Sequence, residues 1–151
     1  MVTNRRTEII NFLIGKLKSI DGQTSSYDAS YTYGVNLFNN VFRKLKFIDE
    51  VNDFPALYLA AGTEIRDFQS ENLTVATLDV IIRAYVYGED NSQELSDYVI
   101  EDVEHVIYNI GDNPEKGILD ITIESISTDE GLAIPYGIAE IELSIVYRLE
   151  F

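Results

Sequence analysis

The sequence lacks recognisable combinations of catalytic residues, such as a nucleophile near a base or a cluster of metal ligands. The 151 residues include one histidine, His105, and no cysteine, which excludes disulfides, thiolate metal sites and the usual multi-histidine zinc sites. His105 stands in the middle of an acidic helical pattern, where a lone histidine is more often structural than catalytic. The pair Gly15-Lys16 lacks the earlier glycine and the following Ser or Thr of a phosphate-binding loop. We therefore predict that the protein is not an enzyme and takes no cofactor.

A group of acidic residues, Asp49, Glu50 and Asp53, is the remaining candidate for a metal site. Carboxylates suit hard cations such as magnesium or calcium, but these residues lack the spacing of a calcium-binding loop. Capping of a turn explains them more simply. We predict no metal site.

Charge is distributed unevenly along the chain. Residues 1–50 carry seven Lys or Arg against five Asp or Glu, residues 51–151 carry four against 21, and the formal net charge is −15. A protein that grips nucleic acid needs concentrated basic residues, so the composition argues against that class. An acidic surface allows DNA to pass without sticking, and it also keeps a monomer soluble before assembly.

A basic group, Arg43, Lys44 and Lys46, contrasts with the acidic remainder of the chain. These residues could contact phosphates, or they could pair with an acidic surface on a neighbouring subunit. Charge complementarity of the second kind mainly sets the orientation and rate of association. We favour subunit pairing over nucleic acid binding because the rest of the chain is so negative.

Three tyrosines, Tyr27, Tyr31 and Tyr33, lie in a segment rich in Ser and Thr. Aromatic residues in such a segment can anchor a protein interface, with their hydroxyls at the wet rim. They can equally fold over the edge of a sheet within the monomer. Both interpretations stay open at the level of sequence.

Two helical and five strand-like patterns position these residues. We predict helices over residues 4–20 and 92–110, strands over 35–47, 55–61, 73–87, 117–127 and 137–151, a loop over 23–34 and a polar connection over 62–72. The link through Gly131 and Pro135 is long for a hairpin, which is typical of a functional loop. The predicted fold class is α+β, with the order α-β-β-β-α-β-β in one domain, residues 1–151. We expect a mainly antiparallel sheet of four to five strands, with the two helices packed on one face.

The strand over residues 73–87 has an apolar face and a mixed face. Its even positions from 76 to 86 are all apolar, which predicts a buried side. Its odd positions include Ile81, Arg83, Tyr85 and Tyr87, a set that is neither polar nor fully apolar. We predict that this second face packs on a neighbouring subunit or partner.

Targeting signals are not recognisable in the sequence. No apolar run reaches membrane-spanning length, and the start of the chain lacks the cleavage pattern of a signal peptide. We expect a protein that is made in a cytosol-like compartment and does not contact a membrane.

The order of these features resembles the tail terminator proteins of long-tailed bacteriophages. The resemblance rests on a basic strand, an acidic turn and a Pro-Ala strand across residues 41–58, on Gly62-Thr63-Glu64, and on an N-terminal helix with Ile9 to Ile14. The long alternating strand, the helix near residue 100 and the two closing strands also agree. The resemblance covers almost the whole chain, although each motif is short.

The resemblance implies a structural virion protein that forms a homo-oligomeric, hexameric ring on the finished tail tube. Such a ring ends tube polymerisation, meets neck or head-completion proteins, and lets DNA pass without specific binding. It is assembled in the host cytoplasm and sits at the head–tail junction of the virion. The competing interpretations are another head–tail connector, a tail completion or baseplate subunit, or an unrelated ligand-binding domain.

Overall fold

A five-stranded sheet with both helices on one face organises the chain, of which the computed structural model describes residues 6–150. The elements are α1 (Arg6–Leu17), β1 (Val41–Phe42), a 3-10 turn (Ile48–Glu50), β2 (Ala56–Ser70), β3 (Leu73–Tyr87), α2 (Ser92–Asp112), β4 (Ile118–Thr128) and β5 (Tyr136–Glu150). The strand order is β1-β2-β3-β5-β4, and only β1 and β2 are parallel. The predicted α+β class is confirmed. The predicted helix start at residues 4 and 5 and the strand end at 151 lie outside the described residues.

The main core lies between the helices and the inner face of the sheet. Every second residue from Ala76 to Val86 in β3, and from Ala139 to Leu149 in β5, is buried there, as period-two alternation requires. Helix α1 adds residues at three- and four-residue spacing, and α2 adds a stripe along its length. Within residues 6–150, neither helix is long and apolar enough to cross a membrane.

The predicted strand over residues 35–47 is wrong except at Val41 and Phe42. The chain reaches β1 through Phe38 and Asn39, whose φ angles of 50° and 62° are left-handed and break an extended strand. After Phe42 the chain leaves the sheet edge and crosses the outer face, opposite the helices.

The predicted polar connection over residues 62–72 is also wrong, because β2 continues to Ser70 and forms a tight hairpin with β3. A register shift between Ala61 and Glu64 inserts one extra residue into β2. This irregularity moves the core-facing positions from odd to even numbers. The sequence alternation is therefore interrupted although the strand is not.

Beyond this shift, Glu64 points toward the main core, and its side chain is only 6% exposed. Its carboxylate accepts hydrogen bonds from the Tyr147 hydroxyl and from Arg66 Nε at 2.7 Å. Burial raises the pKa of Glu64, but these hydrogen bonds and the charges of Arg66 and Arg6 outweigh it and hold the pKa below its ordinary value of 4.5. The unfolded chain therefore binds a proton at Glu64 more readily than the folded chain does.

We expect Tyr147→Phe to lower the free energy of unfolding by about 2 kcal/mol at pH 7, because a buried carboxylate loses a donor. The contribution of Glu64 is fully present above pH 4.5 and is lost as the pH falls through the lowered pKa. Urea unfolding midpoints at pH 7 and at steps below pH 4.5 measure this. The gap between wild type and variant should shrink in acid, whereas Tyr108→Phe, at a 70% exposed site, should change little. A gap that does not vary with pH would contradict the assignment.

Candidate assembly surfaces

One edge of the sheet is followed by a short basic segment, residues 42–47, here called the basic edge. Arg43 and Lys44 are exposed, and apolar side chains alternate with the charges. Phe42, Leu45 and Phe47 are 42%, 38% and 74% exposed. The segment therefore offers both positive charge and apolar surface to a partner.

The basic edge is fixed by a small second core on the outer face of the sheet. The hydroxyl of buried Tyr85 donates a hydrogen bond to the Lys46 carbonyl. Lys46 Nζ lies 5.7 Å from the centroid of the Tyr58 ring. The centroids of the Phe42 and Tyr58 rings are 5.4 Å apart. Val51 packs against the same two tyrosines. Because the Lys46 carbonyl is bound in this way, residues 43–47 cross the outer face instead of extending β1.

The predicted second-face residues have different environments. Tyr85 is buried, Ile81 is half-buried, and Arg83 forms an ion pair with Glu140 at 2.9 Å across β3 and β5. Tyr87 is 46% exposed and packs on neighbouring aromatic rings at the end of the sheet. Of these four residues, Tyr85 contacts the basic edge, through its hydrogen bond to the Lys46 carbonyl. Tyr87 is the most exposed of the four.

The three predicted interface tyrosines pack around His105 on α2. The Tyr31 ring stacks on His105 at 4.0 Å, the Tyr33 ring meets it edge-on at 5.7 Å, and the Tyr27 ring lies 6.2 Å away. Tyr33 is buried, and the other two are half-buried. Their rings hold the 23–36 loop against α2 within the monomer, rather than over a sheet edge.

Asp102 holds the same loop against α2 through hydrogen bonds, and we call this residue the loop clamp. It is 1% exposed and accepts hydrogen bonds from the Tyr31 hydroxyl at 2.7 Å and from the backbone N–H groups of Gly34 and Val35, each at 3.0 Å. Burial raises the pKa of Asp102, and these donors only partly offset that rise. Sequence reasoning missed this residue because it reads as one acid among many on an acidic helix.

A serine and the histidine meet beside the clamp, with Ser25 Oγ 2.7 Å from His105 Nε2. Asp102 directs both carboxylate oxygens to the loop rather than to the imidazole. The three residues therefore do not have the geometry of a hydrolase triad. Among residues 6–150, no three His, Asp or Glu side chains converge as a metal site would require.

The opposite edge of the sheet, residues 118–135, carries only negative charges, and we call it the acidic edge. It consists of β4 and the loop that follows, and its exposed acids include Asp120, Glu124 and Glu130. Exposed apolar side chains lie among them: Leu119 (49%), Ile126 (40%), Leu132 (88%) and Ile134 (61%). Register shifts interrupt β4 twice, near residues 119 and 124. Sequence reasoning did not identify this edge because alternation alone does not show which strand is outermost.

The loop that ends the acidic edge has a fixed shape. Asp129 accepts hydrogen bonds from the N–H groups of Ala133 at 2.8 Å and Ile138 at 3.2 Å. The Pro135 carbonyl accepts a hydrogen bond from the Gly88 N–H at 2.9 Å, which ties the loop to the end of β3. Leu132 and Ile134 therefore project from an ordered frame.

Comparison with known proteins places this architecture in a family. The model of the bacteriophage tail tube terminator proteins matches residues 3–150. The chain belongs to this family. A similar relative, the tail tube terminator protein p142 of Escherichia phage T5, is 28% identical over 158 aligned positions, which cover 96% of this chain and 94% of the relative. The family resemblance drawn from the sequence is confirmed, and the protein is a structural component of the phage tail.

Proposed function

We propose that this protein forms a closed ring that caps the tail tube, ends its polymerisation and gives head or neck proteins a docking surface. The observation that carries the proposal is the contrast between the basic segment that follows edge strand β1 and the opposite edge of the same sheet, formed by β4. The basic edge has three positive charges and no negative charge within residues 42–47, whereas the acidic edge has only negative ones. Both edges also expose apolar side chains, which a contact would bury.

Unlike edges lead to a particular kind of assembly. A surface that complements itself gives a twofold dimer, but two different complementary surfaces join subunits head to tail. Repetition of a head-to-tail contact produces a ring when the rotation closes, and an open filament when it does not. A terminator needs the closed form, and we expect six copies.

The ring would surround the path of the DNA. Exposed Asp79, Asp120 and Glu142 lie on the outer face of the sheet, and Arg83 on that face is already paired with Glu140. Away from residues 43–47, which the neighbouring subunit would cover, this surface repels phosphates, so DNA would pass without specific binding. The ring would be assembled in the host cytoplasm and then occupy the head–tail junction of the virion.

Native mass measurement and negative-stain imaging of the purified protein test the proposal. We expect closed rings of one size, and we expect these rings to stop the elongation of purified tail tubes in a light-scattering assay. A monomer at every concentration, with or without tube ends, would overturn the proposal. Rings that bind only neck proteins and leave tube growth unchanged would identify another head–tail connector instead.

A further inference from the structure

An apolar cavity of about 480 Å³ opens at one end of the sheet, beside the basic edge. Its walls include Val35, Phe38, Phe54, Tyr87 and Leu95. The side chain of Asn36 also lines it, but Asn36 Oδ1 already accepts a hydrogen bond from the Phe38 N–H at 2.8 Å. The cavity therefore suits an apolar side chain better than a polar ligand.

We infer that the occupant is a second copy of this chain, which inserts Leu132 into the cavity. The inference rests on the proposed ring and specifies its subunit contact. Leu132 is the most exposed of the large apolar side chains among residues 6–150, at 88%. It also projects from the ordered loop described above, so little conformational entropy is lost when it is buried.

The topology places the cavity and the loop at the same end of the molecule, and the cavity extends from Tyr87, at the end of the central strand β3, to Phe38 on the β1 side. Ala56, at the start of β2, pairs with Tyr85, which pairs in turn with Ile138 near the start of β5. Thr128, at the end of β4, pairs with Ala139, so the loop of the acidic edge begins at this same end. Phe38 precedes β1 at the opposite edge.

Rotation about an axis along the strands keeps the same end of every copy at one level. When the acidic edge of one copy meets the basic edge of the next, Leu132 comes beside the mouth of the neighbour's cavity. The same rotation brings Glu124 of β4, whose neighbour Ser125 pairs with Glu142, to nearly the level of Arg43 and Lys44, which follow Phe42. Charge complementarity and apolar burial thus favour one docking orientation.

The loop clamp, Asp102, fixes the part of the cavity wall that this contact would use. Gly34 and Val35 line the cavity, and their N–H groups are the ones that donate to Asp102. A wall fixed in this way does not need to be ordered when the neighbour arrives, which lowers the entropic cost of binding.

Disulfide trapping tests the inference cleanly, because the natural sequence has no cysteine. A mixture of Leu132→Cys protein and Phe38→Cys protein should form a disulfide-linked dimer on mild oxidation. The double variant should form a ladder that ends at the number of copies in the ring. The matched control pairs Leu132→Cys with Phe68→Cys, since Phe68 is 75% exposed but lies near the hairpin turn at the other end of β2. This pair should not cross-link.

A second measurement uses Phe38→Cys alone. Its thiol should react with a maleimide at least tenfold more slowly in rings than in dissociated monomers. Rings that form normally but show neither protection nor the selective cross-link would overturn the Leu132 inference while the proposed function stands. Equal cross-linking in the control pair would overturn it as well. Absence of rings in the wild-type protein would overturn the proposed function itself.

Discussion

Replacement of Arg43, Lys44 and Lys46 together by glutamate is expected to leave folded monomers that fail to form rings. Arg43 and Lys44 are exposed, and the hydrogen bond that holds Lys46 uses its backbone carbonyl. The fold therefore loses only the contact of Lys46 Nζ with the Tyr58 ring, which is worth about 1 kcal/mol. In the variant, the altered segment of one copy and the acidic edge of the next copy are both negative. Like charges across an interface cost several kcal/mol. Multi-angle light scattering measures the loss of rings, and the thermal unfolding midpoint reports on folding.

Two further variants make this experiment specific. Lys18→Glu changes an exposed charge outside residues 42–47 and 118–135 and should leave the rings intact. A chain with Asp120→Lys, Glu124→Lys and Glu130→Lys has three positive charges against the single Asp129 on its former acidic edge, so both of its edges are basic, and it should also be monomeric by itself. Mixed with the Arg43, Lys44 and Lys46 variant, it should restore assembly in alternating order. Unchanged rings in the triple variant would contradict the role of the basic edge.

The second large effect is expected from Asp102→Ala in the loop clamp, which should lower the free energy of unfolding by about 3 kcal/mol. Three donors lose their acceptor, two of them backbone N–H groups. The loss stays near this value because the variant also removes a charge that burial disfavours, as the raised pKa of Asp102 shows. Calorimetry should show a midpoint lower by roughly 6–12 °C.

Asp97→Ala is the matched control for the clamp. Asp97 lies on the exposed side of the same helix, so its removal should change the free energy of unfolding by less than about 0.5 kcal/mol. Asp102→Asn keeps the size of the side chain but turns an N–H₂ group toward a donor, and it should be destabilised as well. Equal midpoints for the Asp97 and Asp102 variants would show that the loop is held by packing of Tyr31 and Tyr33 on His105 instead.

The sequence predicted the elements whose patterns are uninterrupted. Strand β3 was predicted as residues 73–87 and is observed as Leu73–Tyr87, because its apolar residues alternate without a break. Helix α2 was predicted within two residues of its observed end at Asp112. The prediction failed for β2, where the shift after Ala61 changes which positions face the core. It failed again at residues 43–47, whose path is set by the hydroxyl of Tyr85, 39 residues away in sequence.

The proposed assembly surface could be read from the sequence only in part, for a similar reason. The charges of Arg43 and Lys44 are visible in the sequence, and the structure leaves both exposed where the chain passes from β1 onto the outer face of the sheet. The acidic edge and the cavity depend on strand order and on which loops share one end of the sheet. No local pattern carries that information. The environments of Tyr31 and Asp102 likewise follow from a tertiary contact between a loop and a helix.

The two interruptions in β4 have a consequence for the protein before it reaches a phage tail. A regular outermost strand offers unpaired amide and carbonyl groups on which other chains can stack into fibrils. In β4 the bulges break the spacing of these groups, and exposed acids such as Asp120 and Glu124 repel a second copy of the same strand. We therefore expect newly made chains to accumulate without amyloid-like aggregation.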